Sequence, residues 1–355
     1  MLWLPMGRPA EPHAPPDSSQ SLLERMLPVP RDGGFQRDDS WVWCGSVTRG
    51  DDGRWHMFAS MWPKTVSFAP NWVTNSRVVR AVADRPEGPY QYVDDVLPPR
   101  GEEFWDGRMT HNPTIHRVGD TYLLFYTGTT YRAPIPEESI KPGSPLWLEA
   151  RANQRIGLAT APSPAGPWSR SDRPILDVRP DRWDALLTTN PAPSVAANGS
   201  VLLLYKSATT ERGASKYGVA QADHFRGPYR RLRDTPIEWA EDPTLSYEDA
   251  FIWREDGQYR MIFNDMSGKL TGEDHAGAYA VSPDGINWRL GTPPKAYSRR
   301  IRWDDGAAAI QGSLERPQLL IQDGRPTHLV CATADGPGGY ARATRTWSIV
   351  IPLRP

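Results

Sequence analysis

One phrase recurs along the chain and limits the folds open to it more than any other feature. An alternating stretch ending in Gly-Pro-aromatic, or a near relative, occurs four times: VVRAVADRPEGPY ending at Tyr90, RIGLATAPSPAGPW at Trp168, KYGVAQADHFRGPY at Tyr229 and GAYAVSPDGINW at Trp288. The terminal stretch YARATRTWSIVIPL reads as a fifth copy whose turn is lost. Upstream of each phrase lies a second motif: a polar entry, an apolar strand, a Gly/Asp turn, then an aromatic-aliphatic strand. It is seen in HNPTIHRVGDTYLLFY from His111, TNPAPSVAANGSVLLLY from Thr189, EDAFIWREDGQYRMIF from Glu248 and ERPQLLIQDGRPTHLV from Glu315, with CGSVTRGDDGRWHMF from Cys44 in the same frame. Runs flanking Asp-Gly, Gly-Asp and Asn-Gly are β-hairpins. A four-stranded sheet cannot bury both faces alone, so the copies must pack on one another.

The expected fold is therefore all-β, a five-bladed β-propeller around a central channel, with a β-sandwich of equal strand count as the rival. The 36 Pro and 30 Gly in 355 residues would suggest disorder in an aromatic-poor chain, but 15 Trp and 13 Tyr are spread throughout. Residues 1–34, Pro-rich and outside the repeat, are read as an arm, packed on the propeller or partly disordered, with SSQSLLERML its best helix signal. Residues 35–355 form the propeller domain.

Lys plus Arg total 41 against 42 for Asp plus Glu, so no basic field exists to hold nucleic acid or an anionic membrane surface. No apolar run approaches the roughly 20 residues that span a bilayer. The first residues lack the regions of a secretory signal, which gives an expected cytoplasmic location. Cys44 and Cys331 cannot make a disulfide framework, and no Cys/His spacing reads as zinc. Oligomeric state is not encoded legibly.

Aligning the copies on their strand entries gives one column of Cys44, His111, Thr189, Glu248 and Glu315, and a next of Gly45, Asn112, Asn190, Asp249 and Arg316. In a propeller the first strand of each blade lines the channel, so these polar entries become a ring at one mouth. A third column holds Asp39, Asp106 and Asp184, the last two within Trp-Asp-x-x-x-Thr-x-Asn-Pro. Repetition argues for architecture at Asp106, Asp184, Asn112 and Asn190, where such residues cap turns or tie blades. Glu248, Asp249, His111 and Arg316 differ from their column-mates, and symmetry does not account for them. Carboxylates across a pocket suit glycoside hydrolysis, where one donates a proton to the leaving oxygen and another, ionised, activates water or attacks the anomeric carbon. Trp faces pack against sugar C–H surfaces, and Trp41, Trp43, Trp62, Trp72 and Trp105 lie near the entries; most tryptophans serve as core.

The five-fold pattern, the entry in YEDAFIWREDGQYRMIF and the phrase GLATAPSPAGPW resemble the propeller glycosidases of glycoside hydrolase families 43, 32 and 117 across residues 38–352. EDAFIW followed by NDMSGKLTGEDHAGAYAVSPDGINW looks most like the family 117 group and family 43 relatives. The resemblance implies an exo-acting, inverting glycosidase in polysaccharide degradation, taking furanose or anhydro sugars from plant or algal oligosaccharides. Glu248 matches the family 43 general acid. The base Asp expected in the first blade is missing, since Cys44 and Gly45 stand there, and Asp39 or its neighbour Asp38 replaces it. Asn190 stands where a third-blade Asp is expected, leaving Asp184, Asp106 or Asp249 as stand-ins. The expected catalytic set is Glu248, Asp39 and Asp106. Asp38, Arg108, His111, Asn112, Asp184, Asn190, Asp249, Asp265, His275, Glu315, Arg316 and Trp72 are expected to bind substrate. The alternatives are a phosphate-dependent phosphorylase, with Arg108, His111 and Arg316 holding phosphate, and a non-catalytic carbohydrate-binding propeller. No cofactor is expected, beyond the structural calcium that related channels sometimes hold. The insertions MWPKTVSFAPNWVTN and YRAPIPEESIKPGSPLWLEARANQ are expected to rim the pocket.

Overall fold

The structure, a computed structural model, describes residues 21–354 apart from 212, 240, 241, 243 and 337. Five four-stranded antiparallel sheets follow one another as the repeat requires. Blade 1 comprises Ser40–Arg49, Trp55–Pro63, Arg77–Ala83 and Gln91–Leu97; blade 2 comprises Met109–Val118, Thr121–Thr129, Arg155–Ala161 and Ser169–Arg170. Blade 3 comprises Thr189–Val195, Val201–Ser207, Lys216–Ala222 and Arg230–Arg231; blade 4 comprises Tyr247–Glu255, Gln258–Asp265, Ala276–Ser282 and Arg289–Tyr297. In blade 5, Leu314–Gln322, Arg325–Ala334 and Thr346–Pro352 take their outer strand from the other end of the chain, Phe35–Gln36 pairing with Ser348 and Trp347. The fifth copy's missing strand is thus supplied by the segment preceding blade 1, which ties the ring shut.

Apolar side chains of each sheet meet those of the next, giving one cluster per blade junction. Leu123, Phe125, Leu203 and Ala220 fill the junction of blades 2 and 3. Val42, Met57 and Val79 meet Leu320, Val330 and Val350 where blade 5 returns to blade 1. Each fully buried aliphatic or aromatic side chain contributes about 1.5–3 kcal/mol, so every blade depends on both neighbours. The repeated Gly-Pro-aromatic phrase closes the third-to-fourth strand turn of blades 1, 2 and 3. There Gly88, Gly166 and Gly227 sit at φ 93°, 90° and 86°, a conformation that a side chain resists.

Of residues 1–34, those from 21 onward are described. Leu22–Arg25 is one helical turn with a Ser21/Glu24 capping box, and Leu22 is buried between blades 4 and 5. Leu27 N–H then bonds Pro352 O at 2.9 Å, and Val29 N–H bonds Arg302 O at 2.8 Å. The described part of the arm lies along the propeller. The arm's first 20 residues lie outside the described residues. Among the described residues no helix is long and apolar enough to cross a membrane.

Candidate active site at the channel mouth

Every inner strand carries a β-bulge a few residues after its entry. At each bulge one non-glycine residue takes a left-handed backbone: Cys44 (φ 60°), Asn112 (52°), Asn190 (50°), Asp249 (63°) and Arg316 (50°). Such a conformation costs roughly 1–2 kcal/mol outside glycine and collects at functional sites. The bulge turns these five side chains toward one another. Cys44 Sγ donates to Asn112 Oδ1 (2.9 Å), Asn112 Nδ2 to Asn190 Oδ1 (2.7 Å) and Asn190 Nδ2 to Asp249 Oδ1 (2.5 Å). Arg316 Nη1 lies 3.6 Å from Asp249 Oδ1, and its Nη2 donates to the Asn112 carbonyl at 3.4 Å. A ring of five linked residues, one per blade, floors the mouth.

This corrects the alignment of blade 1. Its bulge residue is Cys44, so the columns are Trp43, His111, Thr189, Glu248, Glu315 and Cys44, Asn112, Asn190, Asp249, Arg316. Gly45 occupies the Pro position there, and with no Pro to anchor the frame the sequence alignment slips by one residue.

Above the floor is a cavity of about 200 Å³, lined by Glu248, Asp249, Glu315, Lys206, Arg151 and Arg316 and walled by Trp43, Trp62, Phe68, Trp72 and Tyr340. The aromatic wall comes from the inner strand of blade 1 (Trp43), its second strand and insertion (Trp62, Phe68, Trp72) and the blade 5 connection that carries Tyr340, with Trp72 stacked on His111 at 5.0 Å. His111 Nδ1 is 2.8 Å from Ser76 Oγ; burial, helped by Arg316, keeps this imidazole neutral. The two long insertions do rim the opening, Phe68 and Trp72 coming from the first and Arg151 from the helix Pro145–Ala152 of the second. They brace each other where Asn75 Nδ2 donates to Pro136 O (2.7 Å) and Tyr131 Oη to Thr74 O (2.8 Å).

Three carboxyl groups in one pocket cannot behave alike. Burial alone would raise Glu248, but the Lys206 ammonium at 2.8 Å, aided by Arg151 and Arg316, overrides it and holds this carboxyl below its ordinary range. Burial raises Asp249 against the pull of Arg316, and Glu248 beside it adds to the rise. Burial likewise raises Glu315, opposed by His275, whose Nδ1 lies 3.0 Å away and whose own pKa the Glu315 contact raises. The pocket therefore treats its carboxyl groups unequally, favouring the ionised form of Glu248 and holding Asp249 and Glu315 above their ordinary ranges.

The remaining residues expected at the site lie elsewhere. Asp38 and Asp39 are exposed in a separate groove, and Asp39 pairs with Arg37 at 2.8 Å, a hydrogen bond that lowers its pKa to about 2. Asp106 and Asp184 are fully buried inside blades 2 and 3. Arg108 pairs with Glu102 (2.8 Å) and does not line the pocket, and Asp265 accepts from the Leu270 and Thr271 N–H groups, both at 2.9 Å, to shape the 266–275 loop. Asp39→Asn is expected to leave turnover unchanged and to shift stability by no more than about 0.5 kcal/mol, read by urea unfolding and kinetics. A large loss of kcat in that variant would restore Asp39 as the base.

Lys206, Arg151, Met266 and Tyr340 are pocket residues that the columns miss. Lys206 carries a signal, since it directly follows the apolar run VLLLY at the mouth, paired with Thr189. A channel calcium finds poor donors here, because the buried Arg316 guanidinium supplies fixed positive charge among a thiol, two amides and one carboxyl group. Among the described residues no three His, Cys, Asp or Glu side chains converge as a metal site.

No family model matches the chain, and no curated protein does. Among solved structures it is similar to a BT0996 complex with RGII, at 14% identity over 94% of this protein and 93% of that one, with a TM-score of 0.64. It is also similar to a family 117 glycoside hydrolase of the marine bacterium Zobellia galactanivorans (14% identity, 94% and 88% covered, TM-score 0.59). An endo-arabinase from Bacteroides thetaiotaomicron is similar too (13% identity, 91% and 98% covered, TM-score 0.57). At such identities the likeness is one of architecture, and the chain is a five-bladed β-propeller of the kind these glycoside hydrolases share.

Proposed function

We propose that the chain hydrolyses O-glycosyl bonds in the pocket at the channel mouth. The observation that carries this reading is the unequal treatment of the carboxyl groups: Lys206 keeps Glu248 ionised, while burial favours the protonated form of Glu315 beside His275. That is the division of labour that glycoside hydrolysis uses. Its direction reverses the roles implied by the resemblance, with Glu248 as the carboxylate that activates water and Glu315 as the proton donor to the leaving oxygen. His275 returns a proton to Glu315 after each turnover. Asp249, Asn112 and Asn190 hold the floor, and the aromatic wall takes the apolar face of the sugar.

Exo action is part of the proposal, because a cavity of about 200 Å³ takes one sugar ring rather than a chain. Inversion follows when Glu248 activates water instead of attacking the sugar. The resemblance and the arabinase among the similar structures put furanosides and anhydro sugars on the panel of candidate substrates. The BT0996 complex with RGII supports a carbohydrate substrate. The test is hydrolysis of a panel of aryl glycosides and plant or algal oligosaccharides, with and without phosphate, and NMR of the first-formed anomer. Turnover independent of phosphate, with inverted configuration, is the expected result. Silence across a panel whose sugars nevertheless bind would overturn it in favour of a binding propeller.

A further inference from the structure

We propose that the sugar held by this pocket carries a carboxylate, as a uronic acid does, and that Arg151 is the residue that reads it. This rests on the glycosidase reading and sharpens its substrate. The resemblance implies a furanose or anhydro sugar and says nothing of its charge, whereas the arrangement of the pocket's cations asks for an acidic one.

Arg151 lines the cavity from the last turn of Pro145–Ala152, its guanidinium lying over the Trp147 ring at 5.4 Å. Its Nε is buried with no hydrogen-bond partner, and no carboxylate among the described residues pairs with the group. Neighbouring arginines are paired: Arg108 with Glu102, Arg132 with Glu149 and Arg155 with Asp177. Arg316, ion-paired with Asp249 at 3.6 Å, also has its Nε buried without a hydrogen bond. Buried N–H donors left unmatched are costly, and a ligand oxygen that accepts from them removes the cost. In the pocket Lys206 pairs with Glu248 at 2.8 Å, Arg316 with Asp249 at 3.6 Å and His275 with Glu315 at 3.0 Å, which leaves Arg151 as the lining cation that no carboxylate among the described residues pairs with. Its planar guanidinium fork matches a carboxylate in two parallel bonds. A free inorganic anion would leave the wall of Trp43, Trp62, Phe68, Trp72 and Tyr340 uncovered, whereas a uronic acid brings the anion and a sugar ring together.

The experiment compares kcat/KM for matched aryl glycosides, glucuronide against glucoside and galacturonide against galactoside. Calorimetric titration with glucuronate, galacturonate, glucose, galactose and inorganic phosphate runs beside it, for wild type, Arg151→Ala and Arg151→Lys with folding checked by circular dichroism. The acidic member of each pair is expected to be preferred. Arg151→Ala should lower the acidic-to-neutral ratio on the order of 10- to 100-fold, with Arg151→Lys between, since it keeps the charge and loses the fork. Preference for neutral glycosides, with a ratio that Arg151→Ala does not move, overturns the inference while leaving the glycosidase reading intact. Uronate binding that depends on Arg151, without hydrolysis of any glycoside, upholds the inference and overturns that reading. Stimulation of neutral substrates by phosphate makes phosphate the anion and overturns the inference.

Discussion

Glu248→Gln is expected to lower kcat on the order of 10²- to 10⁴-fold while sugar binding changes little, because the amide keeps the shape and loses only the negative charge. Lys206→Met tests the electrostatic half of the assignment. The ammonium at 2.8 Å is what keeps Glu248 below its ordinary range, so without it burial prevails and the pKa rises. The ionised fraction then falls at mildly acidic pH, and the acid limb of the kcat profile moves to higher pH. Glu315→Gln should behave differently again: its loss should be large for a poor leaving group and small for a dinitrophenyl glycoside, which departs without protonation. Were Glu248→Gln the variant rescued by the good leaving group, the roles implied by the resemblance would be right and those proposed from Lys206 wrong.

The fold was legible because it is written five times. Turn dipeptides at regular spacing expose the hairpins, and the need of each sheet to bury a second face dictates the ring. What repetition could not show is the step that breaks it, the closure of blade 5 by Phe35–Gln36, two residues that resemble nothing else in the chain. The site was half legible. His111, Asn112, Asn190, Glu248, Asp249, Glu315, Arg316 and Trp72 line one pocket, with His275 just behind Glu315. Their polar types stand out where strands begin. Arg151 and Tyr340 come from connections of irregular length, where no column exists to flag them. With Cys44 and Gly45 at the first-blade entry, the chain offers only its sequence neighbour Asp39 as a base, whereas the fold supplies carboxylates from blades 4 and 5 instead.

Asp106 decides how far a repeated acidic residue should be read as chemistry. Fully buried, it accepts from Arg100 Nε (2.7 Å), Tyr126 Oη (2.7 Å) and Arg170 Nη1 (3.4 Å), while Trp105 stacks on Tyr126 at 5.8 Å. Blade 3 repeats the arrangement, with Asp184 bound by Arg179 (2.9 Å), Arg231 (2.6 Å) and Tyr205 (2.9 Å), and Trp183 stacked on Tyr205 at 5.9 Å. Blade 4 keeps the stacked pair, Trp239 on Phe263 at 5.0 Å, but the sequence there reads Trp-Ala, and the ring opposite has lost its hydroxyl along with the Asp. Acid and phenol vanish together, as partners in a structural tie should. Asp106→Asn is therefore expected to destabilise the protein by about 3–5 kcal/mol, because it strands the cation of Arg170 in a buried site. Tyr126→Phe, which removes one hydrogen bond and leaves both charges paired, should cost about 1–3 kcal/mol. Urea unfolding measures both, and the kcat of the folded Asp106→Asn protein should match wild type, since no atom of Asp106 reaches the pocket. Unchanged stability with lost turnover would return Asp106 to the chemistry and would mean that the blade 2 and blade 3 ties differ in purpose despite their common geometry.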